Sequence, residues 1–294
     1  MPERLSTLDA SFLYLERPEA HYHVGGLAVL DPLLSPYGPI SFDRLRSVTA
    51  SRLHLVPRFR QRVMVPPLGL GRPVWVDDPH LDLDYHLRHV AVAFPGAPAQ
   101  LAELAGHLHS QPLDLDRPLW ELVLIDGLED GHQAILAKSH HAMLDGVSGM
   151  DLSTVLFDLA PEPQQVTPPP WQQVPLPSPW DLAREAFADR IRERVGAAAA
   201  LARGAIKDPG ATVRHAAGIV EGARTLLRQG FAPRTDFNVQ IGRARRFAMT
   251  ELSLENAREV RRALGGTVND VLLTALAGGL CRLMEHRGEA CDGG

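Results

Sequence analysis

The sequence predicts an α/β fold on three observations. Apolar runs of strand length alternate with amphipathic helical patterns, turn-forming residues separate them, and a proline-dense stretch closes the series. Residues 6–15 read as a short helix or loop, with Ser6 and Asp9 at capping-box spacing. Residues 24–30 read as a strand and 42–55 as an amphipathic helix. Strand patterns follow at 74–76 and 87–93, then a helix at 97–110. Two more strands, 120–125 and 134–137, flank a turn at 126–132. A helix is expected over 148–159.

Eight prolines in residues 160–180 can neither continue a helix nor donate to a strand ladder, so this stretch reads as a linker or surface crossover. Helical patterns resume at 181–203 and 211–229, interrupted by Asp208-Pro209-Gly210. Along the first of them Leu182, Ala186, Phe187, Ile191 and Val195 share a face, among Arg184, Arg190, Arg192 and Arg194. Two readings fit that stripe: a helix covering the protein, or one lying at a lipid interface. The first is the simpler.

Chemistry concentrates at Ser139-His140-His141-Ala142-Met143-Leu144-Asp145-Gly146, entered directly from the apolar run at 133–138. An imidazole titrates near neutral pH, so it can take a proton from an attacking alcohol or amine and return it to a leaving group. A strand supplies a rigid support, and Gly146 permits a sharp turn beside it. Adjacent residues on an extended chain point to opposite faces, so one of the two rings enters a shared pocket and the other packs. Asp145 would either hold the catalytic ring in one tautomer or anchor the turn by bonding an arginine. A metal site is not expected, because no His-x-x-x-His, no Cys-x-x-Cys and no second His/carboxylate cluster completes a ligand shell.

The segment His140–Gly146 resembles the HHxxxDG signature of the CoA-dependent acyltransferase superfamily, which includes chloramphenicol acetyltransferase and peptide-synthetase condensation domains. More closely, the chain resembles the bacterial wax ester synthase/diacylglycerol acyltransferase family. The opening Leu5-Ser6-Thr7-Leu8-Asp9-Ala10-Ser11-Phe12 with His23-Val24-Gly25-Gly26 is similar to the start of that family. The block Gly71-Arg72-Pro73-Val74-Trp75-Val76-Asp77-Asp78-Pro79, followed by Asp82-Leu83-Asp84-Tyr85-His86, is similar to its next conserved stretch. Pro118-Leu119-Trp120 matches its PLW motif and Asn269-Asp270-Val271 its ND motif.

The resemblance implies a chloramphenicol-acetyltransferase-like α/β lobe with a mixed β-sheet and flanking helices. It divides the chain into an amino-terminal lobe at 1–159, the linker at 160–180, a helical segment at 181–232 and the start of a second lobe at 233–294. Members of the family are longer, so most of the second lobe is expected to lie outside this chain. His141 is implied as general base, with His140 in support. It would deprotonate the hydroxyl of diacylglycerol or a long-chain alcohol, which attacks the thioester of a fatty acyl-CoA directly. Acyl-CoA is then a co-substrate, and no cofactor is expected. Two alternatives stay open: a polyketide or carrier-protein acceptor, and an inactive or regulatory fragment. Pro118, Leu119 and Trp120 are implied near the substrate channel, although a tryptophan in a proline-bounded strand is ordinarily core. Asn269 and Asp270 are implied near the acceptor, although helix capping by Thr267 or Asn269 explains them economically.

Composition fits a globular intracellular protein, 45% apolar and 22% charged. The formal charge of -5, with basic residues scattered except at 58–62 and 243–246, argues against nucleic-acid binding. Cys281 and Cys291 are expected as reduced thiols of the cytoplasm. Neither a signal-peptide pattern nor a bilayer-spanning apolar run is present, so contact with a membrane or lipid droplet is expected to be peripheral.

Overall fold

The computed structural model describes residues 2–143, 168–172, 174–207, 237, 239–289 and 291. The helices predicted at 148–159 and 211–229 lie outside them. The chain divides into two compact units, Met1–Phe247 and Ala248–Gly294.

The first unit is mixed α/β. Its principal sheet has the order β2-β7-β6-β5, formed by β2 (His23–Leu30), β5 (Leu87–Ala91), β6 (Trp120–Asp126) and β7 (Gln133–His140). The strand β7 pairs antiparallel with both β2 and β6, while β5 and β6 are parallel and joined through helix α4 (Pro98–Ser110). A parallel pair needs such a crossover, and α4 supplies it. Ala97 offers no side-chain cap, so Gln100 reaches back to accept from the amides of Gly96 and Ala97 at 3.0 and 2.9 Å, and Pro98 takes the first helical position.

The two central strands are buried on both faces, which their near-continuous apolar sequence anticipates. Leu122, Leu124 and Ile135 face a core shared with Leu45 of α2 (Phe42–Arg52) and Ala10 of α1 (Thr7–Leu15). Val123, Ile125, Ala134 and Leu136 face Leu101 and Leu108 of α4. Burial of such a leucine contributes about 1.5–3 kcal/mol, so α4 is held chiefly by its packed stripe. Strand β7 runs three residues beyond the predicted 134–137 because Lys138, Ser139 and His140 are all buried and continue the ladder with Gly25, Val24 and His23.

Trp120 sits at the centre of the larger core. Its indole Nε1 donates to the carbonyl of Phe59 at 2.9 Å, and its ring lies between Phe59 and His86 at centroid distances of 5.2 and 4.5 Å. His86, the last residue of α3 (Leu83–His86), donates from Nδ1 to the Trp120 carbonyl at 2.8 Å. Burial holds the His86 pKa below its ordinary value of 6.5, against the opposing effect of that hydrogen bond. In the unfolded chain His86 binds a proton as pH falls through about 6.5, whereas the folded protein does not, so stability declines with acidification. Urea midpoints should fall between pH 7.5 and 5, and His86→Asn should reduce that slope by up to about 1.4 kcal/mol per pH unit. An unchanged slope would show that His86 is not among the groups responsible.

A second, antiparallel sheet has the order β1-β4-β3, from β1 (Glu3–Arg4), β3 (Gln61–Met64) and β4 (Val74–Asp77). Helix α5 (Pro179–Lys207) docks here through Leu182, which clusters with Val74 and Val76, and through Ala186. A Cβ on Gly71 would fall 2.4 Å from that of Ala186, so only glycine admits this approach. Of the predicted stripe, Leu182 and Ala186 are thus buried against protein, whereas Phe187, Ile191 and Val195 are exposed.

The second unit contains α6 (Leu254–Leu264) and α7 (Val268–His286). Cys281 and Cys291 form a disulfide with Cα atoms 5.4 Å apart, which corrects the expectation of reduced thiols. The physical reason is the end of α7, where the amides of Gly288 and Glu289 close onto the carbonyls of Glu285 and Met284 and Gly288 takes a φ of 80°. That turn folds the chain back toward Cys281. No single described helix is long and apolar enough to cross a membrane.

Candidate active site

The motif sits where β7 ends. His140 is the last strand residue and is fully buried, on the same face as Lys138. Its amide donates to the Leu119 carbonyl at 2.9 Å, and its Nδ1 accepts from the Ala142 amide at 3.0 Å. An accepting Nδ1 places the ring proton on Nε2, which faces Glu16 Oε2 at 3.5 Å. Both ring nitrogens of His140 thus face protein groups.

His141 opens a short 3₁₀ turn, His141–Met143, and is only partly buried. Its amide donates to the Tyr22 carbonyl at 2.7 Å, and its ring lies on Phe12 of α1 with centroids 4.0 Å apart. Nδ1 is buried with no hydrogen-bond partner among the described residues. Asp145 and Gly146 lie outside the described residues.

Beside the pair stands a cluster that the sequence analysis did not assemble. Glu16 follows α1, and the turn Arg17-Pro18-Glu19-Ala20 reverses the chain through hydrogen bonds between Arg17 and Ala20, with proline at its second position. The reversal brings His21 Nδ1 to 3.0 Å from Glu16 Oε1, and His23 Nε2 to 3.9 Å from the same oxygen. Arg245 Nη2 donates to the Glu19 carbonyl at 2.6 Å, so part of the basic run 243–246 braces this turn. Burial alone would raise the Glu16 carboxyl, but the neighbouring rings of His140, His21 and His23 hold it below its ordinary value. Burial, reinforced by the charge of Lys138, pushes His23 down to about 3.

The expectation that no second His/carboxylate cluster exists is therefore corrected. Glu16, His21 and His23 bring three ligand-type atoms within 4.8 Å of one another, because a proline turn closes a gap that a search for ligand spacing along one element does not cover. The sequence signal that could have found it was the Glu–turn–His–x–His order across 16–23.

Next along the same face, Lys138 Nζ and Glu121 Oε2 form a buried ion pair at 2.9 Å. Lys138 also donates to the carbonyls of Leu108 and Gln111 at 3.2 and 3.0 Å, and Arg88 reaches Glu121 Oε1 at 2.9 Å. Burial lowers the Lys138 pKa, with Glu121 acting in the opposite sense.

Pro118, Leu119 and Trp120 are buried, and Trp120 and Leu119 belong to the main core. In the second unit, Asn269 is exposed. Asp270 accepts at Oδ2 from the Thr267 amide and hydroxyl at 2.7 and 2.8 Å, while its own amide donates to Thr267 Oγ1 at 3.2 Å. This is a reciprocal cap of α7. An open cleft lined by Glu3, Gln61, Trp75, Asp77 and Pro177 contains none of the predicted site residues.

The architecture is of the mixed α/β class, with two adjacent histidines delivered by the end of a central strand, one held by backbone and the other at a turn. Within that class, the wax ester synthase/diacylglycerol acyltransferase catalytic domain matches residues 5–272, and the chain belongs to this family. The solved wax ester synthase/diacylglycerol acyltransferase from Marinobacter aquaeolei VT8 superposes with a TM-score of 0.63 at 30% identity, covering 97% of this chain and 61% of that one. A Mycobacterium tuberculosis protein provisionally named a diacylglycerol O-acyltransferase is 37% identical over 287 residues, 97% of this chain and 60% of its own length. Another from the same organism, "Probable diacyglycerol O-acyltransferase", is 36% identical over 264 residues and is itself short, with 96% of its length matched. The chain thus spans about 60% of the longer relatives and nearly all of a short one.

Proposed function

We propose that this chain carries the catalytic base for O-acyl transfer from a fatty acyl-CoA to diacylglycerol or a long-chain alcohol, yielding triacylglycerol or wax ester. The observation that carries the reading is the division of labour in the pair: His140 is buried and held by Ala142, while His141 stands at a turn, gripped through its backbone by Tyr22. With Nδ1 of His141 buried, Nε2 is the nitrogen left to meet a substrate. It takes the proton of the acceptor hydroxyl as the oxygen attacks the thioester carbonyl. The tetrahedral intermediate collapses to ester and CoA thiolate, a leaving group that a near-neutral base suffices to match. The acceptor lipid would be met from the surface, since no single described helix can cross a bilayer.

The test is ester synthesis from labelled acyl-CoA and either diacylglycerol or hexadecanol. It is run with the chain alone and with the carboxy-terminal portion of a longer relative added. The reading expects ester in at least one arrangement; absence of ester in both, with folded protein, contradicts it.

A further inference from the structure

We propose that Glu16, His21 and His23 bind a divalent transition-metal ion of the zinc class, at a site adjoining the His140–His141 pair. The inference is independent of the reaction assigned to His141.

Geometry comes first. A tetrahedral ion with bonds of about 2.0–2.2 Å sets its ligands roughly 3.4 Å apart. The separations found from Glu16 Oε1 are 3.0 Å to His21 Nδ1, a direct hydrogen bond that a bound ion would replace, and 3.9 Å to His23 Nε2, and the three atoms lie within 4.8 Å overall. Two imidazoles and a carboxylate suit zinc, and three protein ligands leave a fourth position for water.

Unsatisfied polar atoms point the same way. The His23 side chain is 1% exposed, yet neither of its ring nitrogens has a hydrogen-bond partner among the described residues. Buried polar atoms are ordinarily paired, and orphans of this kind mark a group the site is built to receive. The nearby Lys138 ammonium opposes a cation here and is offset in part by its ion pair with Glu121 at 2.9 Å.

His140 is excluded from the ligand set by its own hydrogen bond. A ring that coordinates through Nε2 carries its proton on Nδ1, but Nδ1 here accepts from the Ala142 amide. His140 instead directs Nε2–H at Glu16 Oε2, which orients the carboxylate for coordination through Oε1. The bound ion would also fix the backbone between its two histidine ligands, where Tyr22 gives its carbonyl to the His141 amide.

The test uses the full 294-residue chain without a polyhistidine tag, stripped with chelator and titrated with zinc against a chromophoric competitor. One equivalent should bind with a submicromolar dissociation constant. His21→Ala and Glu16→Gln should each weaken it by roughly 100-fold, and His132→Ala, in an exposed loop, should leave it unchanged. Circular dichroism checks that each variant is folded. X-ray absorption on the zinc-loaded wild type, which needs no substitution, should show two imidazoles with oxygen completing the shell. Binding below half an equivalent, affinity retained in both ligand variants, or a shell with any other number of imidazoles would overturn the proposal.

Discussion

Replacing His141 with alanine should lower ester synthesis by about 10²- to 10⁴-fold, the range a positioned general base supplies. The protein should fold nearly as well as before. His141 is only partly buried, and the substitution removes its tilted ring contact with Phe12 at 4.0 Å, an aromatic contact of about 0.5–1.5 kcal/mol. Its backbone bond to Tyr22 survives the substitution. The neighbouring change His140→Ala should behave in the opposite way. It removes a fully buried ring and leaves the Ala142 amide without its acceptor, at a cost of about 1–3 kcal/mol for that group alone. Thermal melts and initial rates of both variants, measured side by side, separate the two roles. Equal losses of activity and stability in both would contradict the division.

The second large effect concerns the ion pair beneath the site. Lys138→Met leaves the Glu121 carboxylate buried with only Arg88 beside it, and removal of one partner from a buried pair costs about 3–5 kcal/mol. Arg88 keeps the loss toward the lower end of that range. The double replacement Lys138→Met with Glu121→Leu should recover part of the stability, because an apolar pair leaves no buried charge and the partly exposed Arg88 can turn to solvent, while the carbonyls of Leu108 and Gln111 still lose their Lys138 donor. Urea unfolding of the single and double variants reads this directly. A Lys138→Met loss below about 1 kcal/mol would mean that the carboxylate takes up a proton or is rehydrated instead.

Elements whose apolar period carries their burial were legible: α2, α4 and the core of β6 and β7 lie where the pattern puts them, as does β2, although none of its residues is fully buried. What escaped depends on partners distant in sequence. Lys138 reads as a polar interruption until Glu121 and the carbonyls of Leu108 and Gln111 surround it. Glu16 looks like a helix-end charge until the Arg17–Ala20 turn sets it against His21. Cys281 and Cys291 gave no framework spacing, and only the glycine turn after α7 brings them together. The stripe on α5 was readable as apolar, but where protein stops covering it depends on Gly71 and on how far the β1-β4-β3 sheet extends.

The central claim is that an alcohol activated by His141 attacks the thioester without an acyl-enzyme. A rapid-quench experiment with labelled acyl-CoA tests it most directly, following label on protein, in ester and in unreacted thioester, with and without acceptor. The account predicts label passing straight from thioester to ester, only when acceptor is present and only when His141 is intact. Label that accumulates on the protein before acceptor is added and then chases into ester would contradict it.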